Sequence, residues 1–323
     1  MKRIGLVLSV LLTLVSCRKD KDSFHVEEEI IIGSSAWTGR IGNFYSEVMS
    51  SEEHYNFDAA FAATFRTEQQ TEFHFSPFSY ATEAGVIVDG DIDIDVLQLK
   101  NKGDLILHNI STMVDGQLLE FLSAYSFSAK KGNLPLALAP NQNIQFTFPD
   151  SETFDTGVNV LLGEEHVDGV SLSWADTLNI APQVLPSEIF DESEGVWKPA
   201  YSAESPQLGW FGCGRLVDYP TGTTSICVNL PEGFNDINSA VFLAFDDYWS
   251  VIKLEGSSIE KQFCADEIPI GAPIKIISIS ERESGYFYLD FKDFTPAEGI
   301  ENNVNLYPEA TPLNEMMVWI QSI

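Results

Sequence analysis

Asp89, Asp91, Asp93 and Asp95 recur every second residue through Asp89-Gly90-Asp91-Ile92-Asp93-Ile94-Asp95, a spacing that sets their carboxylates on one face of a strand. Oxygen ligands placed in this way could share a calcium ion, and the spacing matches the opening of an EF-hand loop. That loop requires Gly at its sixth position and Glu at its twelfth. Counted from Asp91 these positions hold Val96 and Lys102, and counted from Asp89 they hold Ile94 and Lys100. Neither register works. Asp91, Asp93 and Asp95 are therefore expected to form a solvated strand face whose charges discourage edge-to-edge pairing, with a weak calcium site as the alternative.

Glu164-Glu165-His166-Val167-Asp168 places an imidazole among carboxylates, but the cluster is local and precedes Gly169, as a charged turn between strands does. The other histidines, His25, His54, His74 and His108, lack zinc-site spacing. No Gly-x-Ser-x-Gly elbow, Ser-x-x-Lys box or phosphate-cradling glycine loop is present. An acidic pair able to cleave glycosides is not distinguishable among 48 acids. No catalytic residue, metal ligand or cofactor is assigned. Of the aromatics between Trp197 and Trp249, Trp210 and Phe211 fall in a strand-like run. Trp249 follows Asp246-Asp247-Tyr248 in a polar turn and is the ring expected to reach a ligand, unless it folds back over the core.

The elements that must position these residues read as strands. Ile144, Phe146 and Phe148 alternate with Asn143, Gln145 and Thr147, three apolar groups on one face and three polar on the other. Comparable runs lie at 85–88, 92–99, 104–108, 157–162, 225–230, 241–245, 274–279, 286–291 and 316–320. Alternation implies one wet and one buried face, the pattern of antiparallel sheets, and the expectation is an all-β chain of two antiparallel β-sandwich-like domains. Only Phe44 to Phe65 reads otherwise, with Phe44, Val48, Phe57, Phe61 and Phe65 able to line one helical face. The strand pattern lapses between Ala175 and Ser205, around Pro182, Pro186 and Pro199. A first domain is therefore expected at 71–175, a join at 176–205 and a second domain at 206–323, behind an N-terminal extension at 34–70.

Lys2 and Arg3 precede twelve apolar residues, Ile4 to Val15, too few for the roughly 20 that a membrane-crossing helix needs. The run reads as a signal-peptide core, and Leu14-Val15-Ser16-Cys17 resembles the bacterial lipobox. Residues 1–16 are then a leader, Cys17 carries acyl chains, and residues 17–33 form a polar tether, which extended spans at most about 55 Å. Contact with the bilayer comes from those chains, each buried methylene contributing about 0.8 kcal/mol. Of the other cysteines, Cys213 and Cys227 lie symmetrically about Pro220 and could bond across a hairpin. Alternatively they and Cys264 are small buried hydrophobes.

A formal charge of −30 repels phosphate backbones, which argues against nucleic-acid partners. With 44% hydrophobic and 12% aromatic residues the chain still has ample apolar surface to fold.

Three phrases carry a further likeness: Lys102-Gly103-Asp104-Leu105-Ile106-Leu107, then Thr112-Met113 with Asp115-Gly116-Gln117-Leu118-Leu119, and Leu208-Gly209-Trp210-Phe211-Gly212-Cys213. Together they resemble a family of uncharacterised Bacteroidota surface lipoproteins. In that family a Leu-Gly-Trp strand is followed by Asn-Cys-Asp or a variant, here Gly212-Cys213-Gly214. The resemblance implies β-rich domains and a cell-envelope location, and it implies no reaction; outer-membrane attachment is expected, with display at the cell surface favoured over the periplasmic face. The expected function is a non-catalytic envelope module that binds a glycan or a surface protein. The rivals are a glycoside hydrolase using an acidic pair and a structural part of a surface assembly.

Overall fold

The computed structural model describes residues 39–48, 52–114, 116–149, 157–165, 172–175, 184–219, 221–257, 262–299 and 302–323. Cys17, the leader and the tether lie outside them, as do His166 and Asp168. The fold is all-β, built from largely antiparallel sheets, with one parallel pairing between Thr223–Asn229 and Asn302–Asn305 and three short helices among the described residues.

The first sandwich faces two sheets. One runs in the order Glu53–Asp58, Asp91–Leu99, Gln117–Lys131, Gly209–Leu216, Asn159–Glu165, Leu172–Ala175, and the other Leu185–Asp191, Val196–Ser205, Ile144–Pro149, Glu72–Phe75, Ala63–Arg66. Ile144, Phe146 and Phe148 point inward as their alternation demands, meeting Tyr125, Phe127 and Phe211 of the facing sheet. The second sandwich pairs Glu255–Ser257, Gln262–Pro269, Thr223–Asn229 and Asn302–Asn305 against a five-stranded sheet centred on Ser239–Phe245 and Ile274–Glu283. Its core includes Ile226, Val228, Val241, Leu243, Phe263 and Ile276.

A third core joins the two. The outer face of the first large sheet (Leu97, Leu99, Leu119, Phe121, Leu161) and the outer face of the five-stranded sheet (Phe242, Ala244, Ile277, Ile279) are buried in one cluster. It also includes Phe44 and Val48 of helix Ile41–Val48, Leu105 to Leu107 of helix Lys102–Leu107, and Met316 and Ile320 of helix Leu313–Gln321. Two sheets are thus covered on both sides, which is why Ser239–Phe245 is buried at every position and shows no alternation. Gly103 lets two of the helices cross, since a Cβ there would stand 2.1 Å from the Ile320 carbonyl oxygen. Backbone bonds cross the join too: Thr112 N–H donates to the Val251 carbonyl at 2.7 Å, and Ser250 Oγ donates to the Leu119 carbonyl at 2.8 Å.

Several expectations are corrected. The helix beginning near Phe44 stops at Val48, and Glu53–Asp58 and Ala63–Arg66 are strands. There Phe57 and Phe65 stack on aromatic neighbours, Phe65 against Tyr55 at 3.9 Å between ring centres. The run at 104–108 falls mainly in helix Lys102–Leu107, started by Asn101, whose Oδ1 accepts the Asp104 N–H at 2.9 Å while Asp104 Oδ2 accepts the Lys100 N–H at 2.7 Å. The run at 316–320 lies within helix Leu313–Gln321.

The join expected at 176–205 contains the hairpin Leu185–Asp191/Val196–Ser205, and Gly209–Leu216, assigned above to the second domain, is an inner strand of the first sandwich. Pro186 sits on an edge strand. Pro199 lies one residue past the last pairing with Ile144–Pro149, where a missing N–H costs nothing.

Candidate functional site

The carboxylates at 91, 93 and 95 share one face, as their spacing required, but two of them are engaged within the sheet. Asp95, almost buried, meets His54 Nδ1 at 2.5 Å and Lys130 Nζ at 2.8 Å, and Asn56 Nδ2 donates to Asp93 at 3.0 Å. Among the described residues no cluster of three His, Cys, Asp or Glu has metal-holding geometry. Burial would raise the Asp95 carboxyl, but the hydrogen bonds from Lys130 and His54 outweigh it and hold the group below its ordinary range. Because the folded value lies below the unfolded one, this stabilisation is complete above the ordinary aspartate pKa of about 3.9 and is lost as pH falls through the folded value. Asp95→Asn is accordingly expected to lower Tm by a few degrees at neutral pH and to match the wild type in strong acid. Melting curves across pH check this.

The expected Cys213–Cys227 bond does not form. Cys227 pairs with Cys264, which stands directly opposite it in the register of Thr223–Asn229 and Gln262–Pro269 with Cα atoms 4.2 Å apart. Cys213 is free and fully buried in the first core, where burial pushes its thiol up and leaves it unreactive. Its strand passes so near Gln117–Lys131 that a Cβ at Gly212 would lie 2.5 Å from the Ser123 carbonyl oxygen. This explains small residues around the cysteine without any ligand.

Trp249 takes the other alternative and folds back. Half-buried against the third core, its ring meets Phe121 at 6.3 Å, and its carbonyl accepts the Phe121 N–H at 3.2 Å. A dent lined by Val114, Leu119, Asn159, Leu161, Gly214, Arg215 and Leu216 has room for about one water molecule.

The feature that sequence reasoning missed lies at one end of the first sandwich. Phe61 is 67% exposed and Val86 62%, and Phe78, Ile87 and Leu134 are each nearly half exposed. Their loops are stitched together: Ala59 N–H donates to the Gly90 carbonyl at 2.9 Å, Phe78 N–H to Ala59 at 2.7 Å and Ala139 N–H to Ser79 at 2.8 Å. Asp58 Oδ1 accepts the N–H groups of Ala60 and Gly90, both at 2.9 Å, while Lys131 Nζ donates to the Asp89 carbonyl at 2.6 Å. Phe78 is held at φ +59°, a left-handed conformation unusual for a bulky residue. Such strain persists only where the surroundings enforce it, and it concentrates at functional loops.

Segments 59–62, 76–79 and 132–143 contain no charged residue, and 82–90 contains only Glu83 and Asp89. On a chain of net charge −30 these loops bring five exposed apolar side chains to one end of the sandwich, with Glu83 and Asp89 as the only charged residues of their segments. Apolar residues inside Gly- and Pro-bounded turns without charge were the signal available in the sequence. Comparison with protein-family models, curated proteins and solved structures returns no match for this chain.

Proposed function

We propose that the chain is a lipid-anchored, non-catalytic interaction module of the bacterial outer membrane, displayed at the cell surface, that grips a partner protein with the apolar tip of its first sandwich. The tip carries this reading, because Phe61, Phe78, Val86, Ile87 and Leu134 each leave about half or more of their surface in solvent at a sparsely charged end of the sandwich. Glu83, Asp89, Asp91 and Asp93 flank its segments against the single Lys131, which pairs with Asp89 at 3.6 Å, so the border is net acidic and the complementary partner presents an apolar pocket with a Lys- and Arg-rich rim. A second copy is disfavoured, since two such borders repel. A bilayer is disfavoured because anionic headgroups repel the same acids.

Supporting the location are the lipobox-like Leu14-Val15-Ser16-Cys17 and the Cys227–Cys264 disulfide, which suits an oxidising compartment. Among the described residues no helix is long and apolar enough to cross a membrane. The chain from Cys17 to Gly39 extends to at most about 75 Å, and Gly39 is fixed to the second sandwich through the Arg282 carbonyl at 3.0 Å. The tip lies about 33 Å along Gln117–Lys131 from Phe121, where that strand meets Trp249. The described chain thus begins on the second sandwich, whereas the tip belongs to the first. Cells fed labelled palmitate test the anchor: the wild type is expected to incorporate label and stay with membranes, and Cys17→Ser to do neither. An unlabelled wild-type chain contradicts the reading.

A further inference from the structure

Among the described residues the hairpin Leu185–Asp191/Val196–Ser205 extends beyond its neighbour, since Ile144–Pro149 pairs with it as far as Ala200. On the overhang Phe190 and Trp197 are directly opposed. Their ring centres are 5.4 Å apart with planes at 61°, forming an L-shaped corner. Trp197 is 65% exposed and Phe190 36%, and the indole N–H has no partner among the described residues.

The corner is held rigidly. Asp191 Oδ1 accepts Ser193 N–H at 2.9 Å, Ser193 Oγ–H at 2.6 Å and Glu194 N–H at 3.2 Å, and Gly195 at φ +70° closes the turn. Lys198 Nζ braces the turn from Asp191 at 2.6 Å and Glu194 at 2.8 Å. Arg66, paired with Glu72 at 2.7 Å, donates its other NH group to the Phe190 carbonyl at 2.8 Å. An exposed aromatic pair fixed from three sides presents a ligand surface already ordered before binding, which reduces the entropic cost of recognition.

Its size and border define what fits. By strand alternation, the exposed Leu185 and Val196 fall on the opposite face of the hairpin, and the face of the corner offers only the two rings with Glu188, Pro186 and Pro199 beside them. That is far below the roughly 800 Å² per partner of a stable protein interface. Glu188, exposed and on the Phe190 face, offers a carboxylate acceptor beside the rings. We infer that the Phe190–Trp197 corner is a stacking subsite for an uncharged pyranose of an oligosaccharide. The sugar's C–H face lies on the indole, and its hydroxyls donate to Glu188 and accept from the indole N–H. The acidic body excludes uronic, sulfated and phosphorylated sugars. This site is separate from the tip and stands whether or not the tip binds a protein.

Calorimetric and saturation-transfer NMR titrations of the full-length chain with gluco-, manno-, xylo- and chito-oligosaccharides test it, with oligogalacturonate as the anionic control. Saturable binding to at least one neutral series is expected. Affinity should fall at least roughly tenfold in Trp197→Ala and only a few-fold in Trp197→Phe. It should be unchanged in Phe61→Ser/Phe78→Ser, and Trp197→Ala should keep the wild-type Tm because the ring is exposed. Absence of saturable binding to every neutral series, equal affinity in Trp197→Ala, or preference for oligogalacturonate would overturn the assignment.

Discussion

Replacing Phe121 with alanine is expected to destabilise the chain by about 4 kcal/mol, the range for removing a fully buried aromatic ring, and to weaken both sandwiches together. Phe121 lies on the outer face of the first large sheet, 2% exposed, with Trp174 at 4.7 Å and Trp249 at 6.3 Å between ring centres. Gly212 leaves space for its ring, since a Cβ there would stand 2.9 Å from Phe121 Cε1. Alanine opens a cavity in the layer to which the two sheets and three helices all contribute, and backbone bonds through Thr112, Trp249 and Ser250 prevent its easy collapse. Because Thr38–Ile323 form one compact unit, amides of Gln117–Lys131 and of Ser239–Phe245 should lose hydrogen-exchange protection in step. Loss confined to one sandwich would show that the shared core does not couple them.

The second large effect concerns the tip. Phe61→Ser with Phe78→Ser should weaken partner binding by roughly a thousandfold, two buried aromatic anchors contributing about 2 kcal/mol each. The fold should persist with only a small loss of Tm, since Phe61 is 67% exposed and Phe78 nearly half exposed. Serine keeps a Cβ, so the left-handed strain at position 78 remains and gives no compensating gain. Calorimetry or surface binding with the purified partner separates the outcomes. Unchanged affinity at unchanged Tm would remove the tip from the interface.

Much of the architecture is legible in the residues. Alternation at Ile144, Phe146 and Phe148 identifies a strand with one buried face, and the aspartates from 91 to 95 do share a face. What alternation cannot convey is a third core. Strands covered on both sides lose their polar face, and the short helix Lys102–Leu107, buried at five of its six residues, loses its amphipathic stripe and looks like an apolar strand; Leu313–Gln321 keeps a stripe at Leu313, Met316, Met317 and Ile320 that its dense apolar run obscures. Prolines mark strands with one free side as readily as they mark linkers, so the hairpin at Leu185–Ser205 has the sequence pattern of a join.

Cysteine pairing depends on long-range register, and closeness about Pro220 gave no access to the partner strand Gln262–Pro269. The sites were less legible than the fold. Trp249 and Trp197 are both aromatics near acidic turns, and only tertiary packing sends one into the core and leaves the other outside.

A photo-reactive phenylalanine analogue placed at position 61, 78 or 87 of the full-length chain in living cells gives the most direct test of the tip. The account predicts one recurrent protein adduct at all three positions, with a basic-rimmed apolar pocket at the linked site, and none from the equally exposed Tyr286 or Tyr307 on the second sandwich. No adduct at the tip, or the same adduct from the second sandwich, would contradict it.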